Sequence, residues 1–224
     1  KNVFVEKPLA IDKDGLEMII ETYRKNIKEK HCHLMVGYNR RFSPHIQKIK
    51  SLLEEVSEPK SFIMTVNAGF LPRDHWVHDI NIGGGRIIGE ACHFIDLMRF
   101  LAGTKIMSSG IEKIREIKSK KYSNDNAIIT LGFEDGSIGT INYFANGSNL
   151  YPKEKIEIFT SGKVLTLDNF RTLKGYGWNN FSKNSSWKQD KGNRNCVKSF
   201  VKSLKTGSET IPIDEIFEVA EVSI

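Results

Sequence analysis

Residues 127–144 read AIITLGFEDGSIGTINYF, and this stretch sets the fold class. Apolar and polar residues alternate on both sides of Asp135-Gly136, a dipeptide typical of the turn between two antiparallel strands. Similar short alternating segments, interrupted by turn signals such as Ser161-Gly162, run from Ile106 to Leu173. The alternation therefore predicts a largely antiparallel sheet.

Segments with helical periodicity elsewhere in the sequence predict a second layer of helices. Apolar residues recur at helical spacing in five segments: Leu16 to Ile27, Pro44 to Val56, Arg86 to Leu101, Asn193 to Lys205 and Asp214 to Val222. Residues 175–193 are polar, aromatic and without a period, which predicts a loop. We expect an α+β fold of two layers, with the helices on one face of the sheet.

The first 38 residues follow a different plan. A short apolar strand at Val3–Val5 is followed by a helix and by a second apolar strand from Leu34 to Tyr38. This order predicts a parallel β-α-β crossover unit. One such unit does not cover both faces of a sheet, so we expect it to be the end of a domain whose earlier strands are absent.

Composition narrows the class of protein. The chain has 224 residues, of which 39% are hydrophobic and 27% charged, as in ordinary soluble globular proteins. No apolar run is long enough to cross a bilayer and the start lacks the order of a signal peptide, so we expect a cytoplasmic protein without a membrane partner. Three widely spaced cysteines indicate neither a disulfide framework nor a metal site.

The net charge of +6 is spread along the chain rather than gathered in a block. Such a charge suits a nucleotide or an acidic sugar as well as nucleic acid. Trp178, Phe181 and Trp187 lie near lysines, but no recognised nucleic-acid module accompanies them. We therefore expect a small-molecule partner and no nucleic acid.

Residues 83–96, GGGRIIGEACHFID, hold the first candidate for chemistry. The glycines permit a tight turn into a helix, on which Glu90 and His93 are three apart and share one side with Asp96. A carboxylate beside an imidazole can shift the imidazole pKa toward neutrality, as a proton shuttle requires. The alternative is a hydrogen-bonded histidine of the core.

A charged pair, Glu6-Lys7, follows the first strand directly, and Pro8 turns the chain away. A charged pair at the carboxyl end of a buried strand is typical of an active site. The alternative is a surface ion pair without functional meaning.

Two further candidates for substrate contact follow from position. Asn39 and Arg40 come at the carboxyl end of the second strand, where arginine suits an anionic group on a substrate, although a solvated turn is the alternative. Trp76, in the loop before the glycines, can stack on a sugar ring or fill the core. The sequence does not decide between these roles.

Six motifs in order carry a resemblance to a known family: VFVEKPLA, LMVGYNRRFSP, GGGRIIGEACHFIDL, FEDGSIGTINY, GKVLTLDNFRTL and IPIDEIFEVA. They resemble the glucose-fructose oxidoreductase and inositol dehydrogenase family, called Gfo/Idh/MocA, nearly end to end. The motifs look closest to the two-part oxidoreductases of polysaccharide gene clusters. The resemblance thus implies an NAD(P)-dependent oxidoreductase of polysaccharide biosynthesis that acts on a sugar, a nucleotide sugar or a polyol.

The family resemblance also implies a division of the chain. In the family a Rossmann domain comes first, and the EKP motif lies near its end. We therefore expect residues 1–38 to be a remnant of that domain and residues 39–224 to be a substrate-binding and oligomerisation domain. NAD or NADP would be bound mainly by the missing N-terminal region, and the chain alone would be inactive. A non-catalytic ligand-binding or assembly module is the alternative.

Roles for single residues follow from the same resemblance. Lys7 matches the lysine beside the nicotinamide that hydrogen-bonds the reacting hydroxyl, and His93 matches the histidine that exchanges a proton with the substrate. Many members carry an aspartate where this chain has Gly89, and Glu90 beside it is a candidate replacement. The substrate-binding candidates are Asn39, Arg40, Trp76, Glu90 and Asp96, and the cofactor-binding candidates are Glu6, Lys7 and Pro8. The family also implies a homo-oligomer through the open face of the sheet.

Overall fold

The computed structural model describes residues 2–27, 33–72, 85–114 and 125–224. Within these ranges the strands are β1 (Val3–Val5), β2 (Leu34–Val36), β3 (Ser61–Asn67), β4 (Ile106–Lys113), β5 (Ala127–Phe133), β6 (Ile138–Phe144), β7 (Glu154–Thr160), β8 (Lys163–Asp168), β9 (Thr172–Tyr176) and β10 (Lys183–Ser185). The α-helices are α1 (Lys13–Ile27), α2 (Pro44–Leu53), α3 (Cys92–Ala102), α4 (Asn193–Thr206) and α5 (Ile213–Ser223).

An eight-stranded sheet forms one layer of the molecule, in the order β10-β9-β8-β7-β3-β6-β5-β4. Neighbouring strands are antiparallel except for β3 and β6, which run parallel. The turn at Asp135-Gly136 joins β5 to β6, and Gly136 adopts the left-handed conformation that such turns favour, at φ 82°. The prediction of a largely antiparallel sheet is confirmed.

The helices cover one face of this sheet. Phe62, Met64 and Val66 alternate along β3 and are at most 1% exposed, and they share a core with Leu97 of α3. At Gly139 of β6 a Cβ atom would lie 2.9 Å from the Phe62 Cβ and would overlap the Met98 sulfur, so only glycine allows α3 to pack this closely. The predicted two-layer α+β arrangement is confirmed.

The first two strands form a separate parallel pair, with Val3 opposite Leu34 and Val5 opposite Val36. Helix α1 connects them and begins at a cap, because the Asp12 carboxylate accepts a hydrogen bond of 2.7 Å from the Gly15 backbone. The predicted β-α-β order is present, although the second strand ends at Val36 rather than Tyr38.

Two local features differ from the sequence prediction. The predicted loop at 175–193 contains the end of β9 and the short strand β10, whose three side chains are all exposed. Backbone pairing with β9 holds β10, so its side chains show no alternation that a sequence pattern could reveal. The predicted helix from Arg86 begins instead with a π-helical turn at Ile87–Ala91, and α3 ends before Gly103, which adopts a left-handed conformation.

No helix in the described part of the chain is both long and apolar enough to cross a membrane.

Candidate functional site

A cavity of about 350 Å³ lies where the carboxyl ends of β1 and β2 meet α3 and the start of α4. Its walls are formed by Phe4, Glu6, Gly37, Asn39, Arg40, His93, Lys191, Asn193, Cys196 and Val197. Because β1 and β2 are parallel, their carboxyl ends lie at one edge, which brings Glu6 and Asn39 together. The cavity volume is at the small end of the range for ligand pockets and suits a single sugar ring.

Lys7 joins this site to the segment that carries His93. Its ammonium group donates a hydrogen bond of 2.7 Å to the backbone carbonyl of Gly89, 82 residues along the chain. The Lys7-Pro8 peptide bond is cis. Gly89 belongs to the π-helical turn and offers no side chain, so Lys7 meets a neutral carbonyl there. The lysine and the histidine, far apart in sequence, are held at one place.

His93 is 8% exposed, and its Nδ1 atom has no hydrogen-bond partner among the described residues. Burial lowers the pKa of His93 well below its usual value, and the positive charges of Arg40 and Lys7 lower the pKa further. The imidazole is therefore neutral near pH 7 and able to accept a proton.

Glu90 pairs with two cations rather than with the His93 imidazole that its sequence spacing suggested. Its carboxylate lies 3.7 Å from Arg86 Nε and 3.8 Å from Lys153 Nζ. Burial, with the nearby Glu90 carboxylate, raises the pKa of Tyr143. The π-helical turn holds more residues per turn than an α-helix, which changes the angle between Glu90 and His93. The charged groups that act on His93 are mainly cations, contrary to the carboxylate–imidazole interpretation.

Arg40 lies on the cavity wall, and a buried carboxylate holds it there. Its Nε and Nη2 atoms each donate a hydrogen bond of 2.9 Å to Glu154, which is 1% exposed at the start of β7. The Lys191 ammonium lies 2.5 Å from the same carboxylate. Burial alone would raise the pKa of Glu154, but Arg40 and Lys191 together lower it. Glu154 thus positions two cations of the cavity.

Asp96 lies behind the cavity, fully buried, and is not one of the residues that line it. It accepts hydrogen bonds of 2.5 Å and 3.1 Å from Arg41, and Arg41 also bonds Glu215 on α5. Burial raises the pKa of Asp96 to about 6, and the Arg41 charge opposes this rise. The visible role of Asp96 is to attach α3 to the 3₁₀ turn at Asn39–Phe42, and its substrate contact stays a prediction.

Lys191 and Asn193 line the cavity although the sequence did not single them out. They flank Gly192, whose φ is 84° and whose hypothetical Cβ would lie 2.5 Å from the Phe42 carbonyl carbon. Asn39 donates one hydrogen bond of 2.7 Å to the Lys191 carbonyl and another to the Asn193 side chain. A glycine directly before a helix was the available signal, but it does not reveal which distant segment it approaches.

The remaining candidates stand as follows. Trp76 lies outside the described residues, so its contact with substrate stays a prediction. Glu6 lines the cavity beside Gly37, and Pro8 follows Lys7 at the edge of the site. Within the described ranges no group of three or more His, Cys, Asp or Glu side chains is placed to hold a metal ion.

Curated relatives are longer than this chain. An uncharacterized oxidoreductase, YrbE of Bacillus subtilis, is 27% identical over 176 residues, which cover 76% of this chain and 49% of the relative. A myo-inositol 2-dehydrogenase of Thermotoga maritima is 26% identical over 174 residues, covering 76% and 50%. The chain therefore spans about half the length of the curated relatives it matches.

Solved structures share the whole fold. An oxidoreductase domain protein from Kribbella flavida has a TM-score of 0.84 at 19% identity and covers 100% of this chain and 70% of its own. A levoglucosan dehydrogenase in complex with NADH and levoglucosan has a TM-score of 0.80 at 19% identity, with coverage of 100% and 70%.

A family model described as the C-terminal alpha/beta domain of the oxidoreductase family matches residues 50–195. The match takes in all eight strands of the larger sheet and the helix that carries His93. This chain belongs to the Gfo/Idh/MocA oxidoreductase family and contains its C-terminal alpha/beta domain.

Proposed function

We propose that this chain is the substrate-binding part of an NAD(P)-dependent oxidoreductase that acts on a CH–OH group of a sugar, a nucleotide sugar or a polyol. One observation carries the proposal: Lys7 is bonded to the turn before His93, and His93 lines a cavity of sugar size. Relatives named as dehydrogenases of inositol and of levoglucosan support the substrate class.

The two side chains match what oxidation of an alcohol needs. The carbon gives up a hydride and the hydroxyl oxygen gives up a proton, which leaves a carbonyl. Bound nicotinamide would supply the hydride acceptor. His93 takes the proton, because it lines the cavity and its imidazole is unprotonated near neutral pH. The Lys7 ammonium donates a hydrogen bond to the reacting oxygen and orients it.

We assign cofactor contacts within this chain to Glu6, Lys7 and Pro8, at the carboxyl end of β1. The Lys7 ammonium pairs with a neutral carbonyl, so it keeps donors for a cofactor or a substrate oxygen. The outer edge of β1 has no strand partner among the described residues, and a two-stranded parallel sheet is marginal by itself. Residues 1–38 would then complete a Rossmann domain that binds most of the dinucleotide, and residues 39–224 would bind the substrate.

We also propose a homo-oligomer through the uncovered sheet face. Tyr176, Val164, Phe159 and Ile138 lie in one row across adjacent strands, interrupted by Ser61. Ile138 is 60% exposed and Tyr176 is 54% exposed, a degree typical of residues that pack against a partner rather than against their own chain. A second copy of this sheet would bury the row.

A non-catalytic binding module is the second candidate, and one observation favours it. Position 89 has no carboxylate, and the neighbouring Glu90 is paired with Arg86 and Lys153 instead. A protein that keeps the cavity but lacks the full set of reacting groups would bind a sugar without oxidising it.

The deciding experiment uses a version of the protein that includes the coding region upstream of Lys1. Reduction of NAD and of NADP is measured with a panel of sugars, nucleotide sugars and inositols. Lys7→Met and His93→Gln should each lower kcat by about 100-fold or more. Lys25→Met, at an exposed position of α1, serves as the matched control and should leave kcat unchanged.

Two results would count against the proposal. Binding of a sugar without dinucleotide-dependent turnover would favour the binding module. Full activity of both the Lys7 and the His93 variants would show that the reacting groups lie elsewhere. For the 224-residue chain alone we expect no turnover and no micromolar binding of NAD or NADP in calorimetry. Tight dinucleotide binding by this chain would place the cofactor site within it.

A further inference from the structure

The walls of the cavity carry more positive than negative charge. Arg40 and Lys191 both line the cavity, and both are paired with the single carboxylate of Glu154 behind them. One carboxylate neutralises one of these two cations. Glu6 adds a negative charge to the wall, but the adjacent Lys7 adds a positive one that is bonded to a neutral carbonyl. Among these five side chains one positive charge remains without a counterpart. A further carboxylate, that of Asp190, accepts a hydrogen bond of 2.8 Å from the Gly192 backbone N–H beside this wall, but Asp190 is not one of the residues that line the cavity.

This excess matters because water has limited access to it. Arg40 is 8% exposed and the Lys191 side chain is 22% exposed. A charge that is partly removed from water loses hydration, and charge interactions strengthen as water is excluded. An anionic group in the cavity would supply the missing counter-charge.

The N-terminal end of helix α4 also favours a negative charge in the cavity. Asn193, Cys196 and Val197, from the first turns of this 14-residue helix, line the cavity. The Asp190 carboxylate bonds the backbone N–H of Gly192, but the first turn of the helix itself has no acidic residue and no side-chain cap. Unpaired backbone N–H groups and the helix dipole make such an end favourable for an anion.

The side chain of Asn193 strengthens this arrangement. Asn39 donates a hydrogen bond to the Asn193 carbonyl oxygen, so the amide NH₂ group of Asn193 stays a donor. His93 lines the same cavity and is more than nine-tenths buried, and its Nδ1 atom has no hydrogen-bond partner among the described residues. Donors and cations therefore converge on one small volume.

We propose that the wall formed by Arg40, Lys191 and the first turn of α4 binds a compact anionic substituent of the substrate, a carboxylate or a phosphate. Lys191 is the specificity-determining residue, because Arg40 already gives two of its donors to Glu154 whereas the Lys191 ammonium gives one. The inference deepens the proposed function and rests on it for the sugar-like nature of the ligand. The preferred substrate is then an acidic sugar or a sugar phosphate.

Equilibrium binding to the 224-residue chain tests this directly. Calorimetry compares D-glucuronate, D-glucose 6-phosphate and D-glucose, which share a ring and differ in one substituent. At low salt we expect at least one of the two anionic sugars to bind about tenfold or more tightly than glucose, and sodium chloride to reduce the difference. The glucuronate and phosphate arms separate a carboxylate site from a phosphate site.

Variants at two neighbouring lysines locate the effect. Lys191→Met should remove most of the preference for the anionic sugar, and Lys191→Arg should retain most of it. Lys188→Met is the matched control, since Lys188 is exposed and is not one of the residues that line the cavity. Circular dichroism checks folding, and Lys191→Gln replaces the methionine variant if that one does not fold.

Equal affinities for the three sugars, absence of measurable binding by all of them, or an unchanged preference in both uncharged Lys191 variants would overturn the inference. Binding needs neither dinucleotide nor turnover, so a longer protein without dehydrogenase activity would leave a positive result intact. Conversely, efficient turnover of neutral sugars without preference for anionic ones would reject this inference and keep the proposed function.

Discussion

His93 owes its lowered pKa first to burial and then to positively charged side chains that come from distant parts of the chain. Lys7 follows β1, Arg40 lies in the 3₁₀ turn after β2, and Lys191 precedes α4. A protonated imidazole here would add a further positive charge to a site that already has an excess. The neutral form is therefore the stable one in the folded protein, and the proposed proton transfer from an alcohol requires this form.

The lowered pKa of His93 predicts a pH dependence of stability. The unfolded chain protonates this imidazole near pH 6.5, whereas the folded protein does so only at much lower pH. Acidification below pH 6.5 therefore favours unfolding, by up to about 1.4 kcal/mol for each pH unit until the folded protein also binds the proton. We expect urea unfolding between pH 7 and pH 5 to show a steeper loss of stability for the wild-type chain than for His93→Gln.

His45 also has a pKa lowered by burial, but it is present in both proteins and its contribution cancels in the comparison. Parallel pH profiles for the two proteins would mean that His93 is not buried as a neutral group.

Asp96 predicts a large effect on stability. Asp96→Asn removes a buried charge from its pair with Arg41, and the guanidinium is then left only with Glu215. We expect a loss of about 3 kcal/mol at neutral pH, measured by urea unfolding. The control is Glu157→Gln, in a partly exposed pair with Lys155, which should cost less than about 1 kcal/mol. Similar losses in the two variants would contradict the structural role of Asp96.

At the scale of elements, α4 is placed by the glycine before it. Gly192 lets the chain pass directly over the 3₁₀ turn at Asn39–Phe42, which sets Lys191 and Asn193 on the cavity wall. Gly207 at the other end of α4 has a similar left-handed φ of 72°, but its hypothetical Cβ would meet nothing within 4 Å. Substitution of Gly207 would therefore introduce backbone strain alone, whereas substitution of Gly192 would introduce both strain and a steric overlap.

This pair of glycines gives a matched prediction. Gly207→Ala should cost about 1 kcal/mol, the strain of a left-handed alanine. Gly192→Ala should cost more than about 2 kcal/mol, because its Cβ would also overlap the backbone of the neighbouring turn. Chemical denaturation measures both. Equal losses would show that the chain segments can separate without cost.

The sequence predictions were correct where turn residues or apolar periodicity marked an element clearly, and they failed where neither was present. The β5–β6 hairpin and α3 were predictable, because turn glycines and apolar periodicity act within a few residues. The strand β10 was missed because its three exposed side chains carry no pattern and its pairing partner supplies the order. The π-helical turn was missed because the sequence spacing is the same for both kinds of helix.

At the scale of the whole molecule, the sheet buries one face and leaves the other uncovered. Two consecutive residues of β3 illustrate the difference between the faces: Phe62, on the buried face, is 1% exposed, and Ile63, on the uncovered face, is 37% exposed. The exposed apolar row that ends at Ile138 is the basis for expecting association of copies.

The association of copies predicts a change in molar mass. Ile138→Lys places a charge at the end of the exposed apolar row on the uncovered face and should convert an oligomer to a monomer without loss of stability. Met18→Lys is the control, because Met18 on α1 is also strongly exposed, at 66%, but lies outside the sheet. Light scattering after size exclusion gives the mass. A wild-type chain that is monomeric at tens of micromolar would contradict the proposed interface.

The amino-acid sequence by itself determined the two-layer α+β class and the order of most helices and strands, because periodicity and turn chemistry are local properties. The family was indicated by the resemblance of six motifs in order and is confirmed by the family model. Tertiary structure alone decided which charges meet. Glu90 pairs with Arg86 and Lys153, and Asp96 pairs with Arg41. Lys191 lines the cavity although the sequence analysis did not identify it. Asp96 and Arg41 are 55 positions apart and Arg40 and Glu154 are 114 apart, and only close packing of separate elements brings such charges within reach of one another.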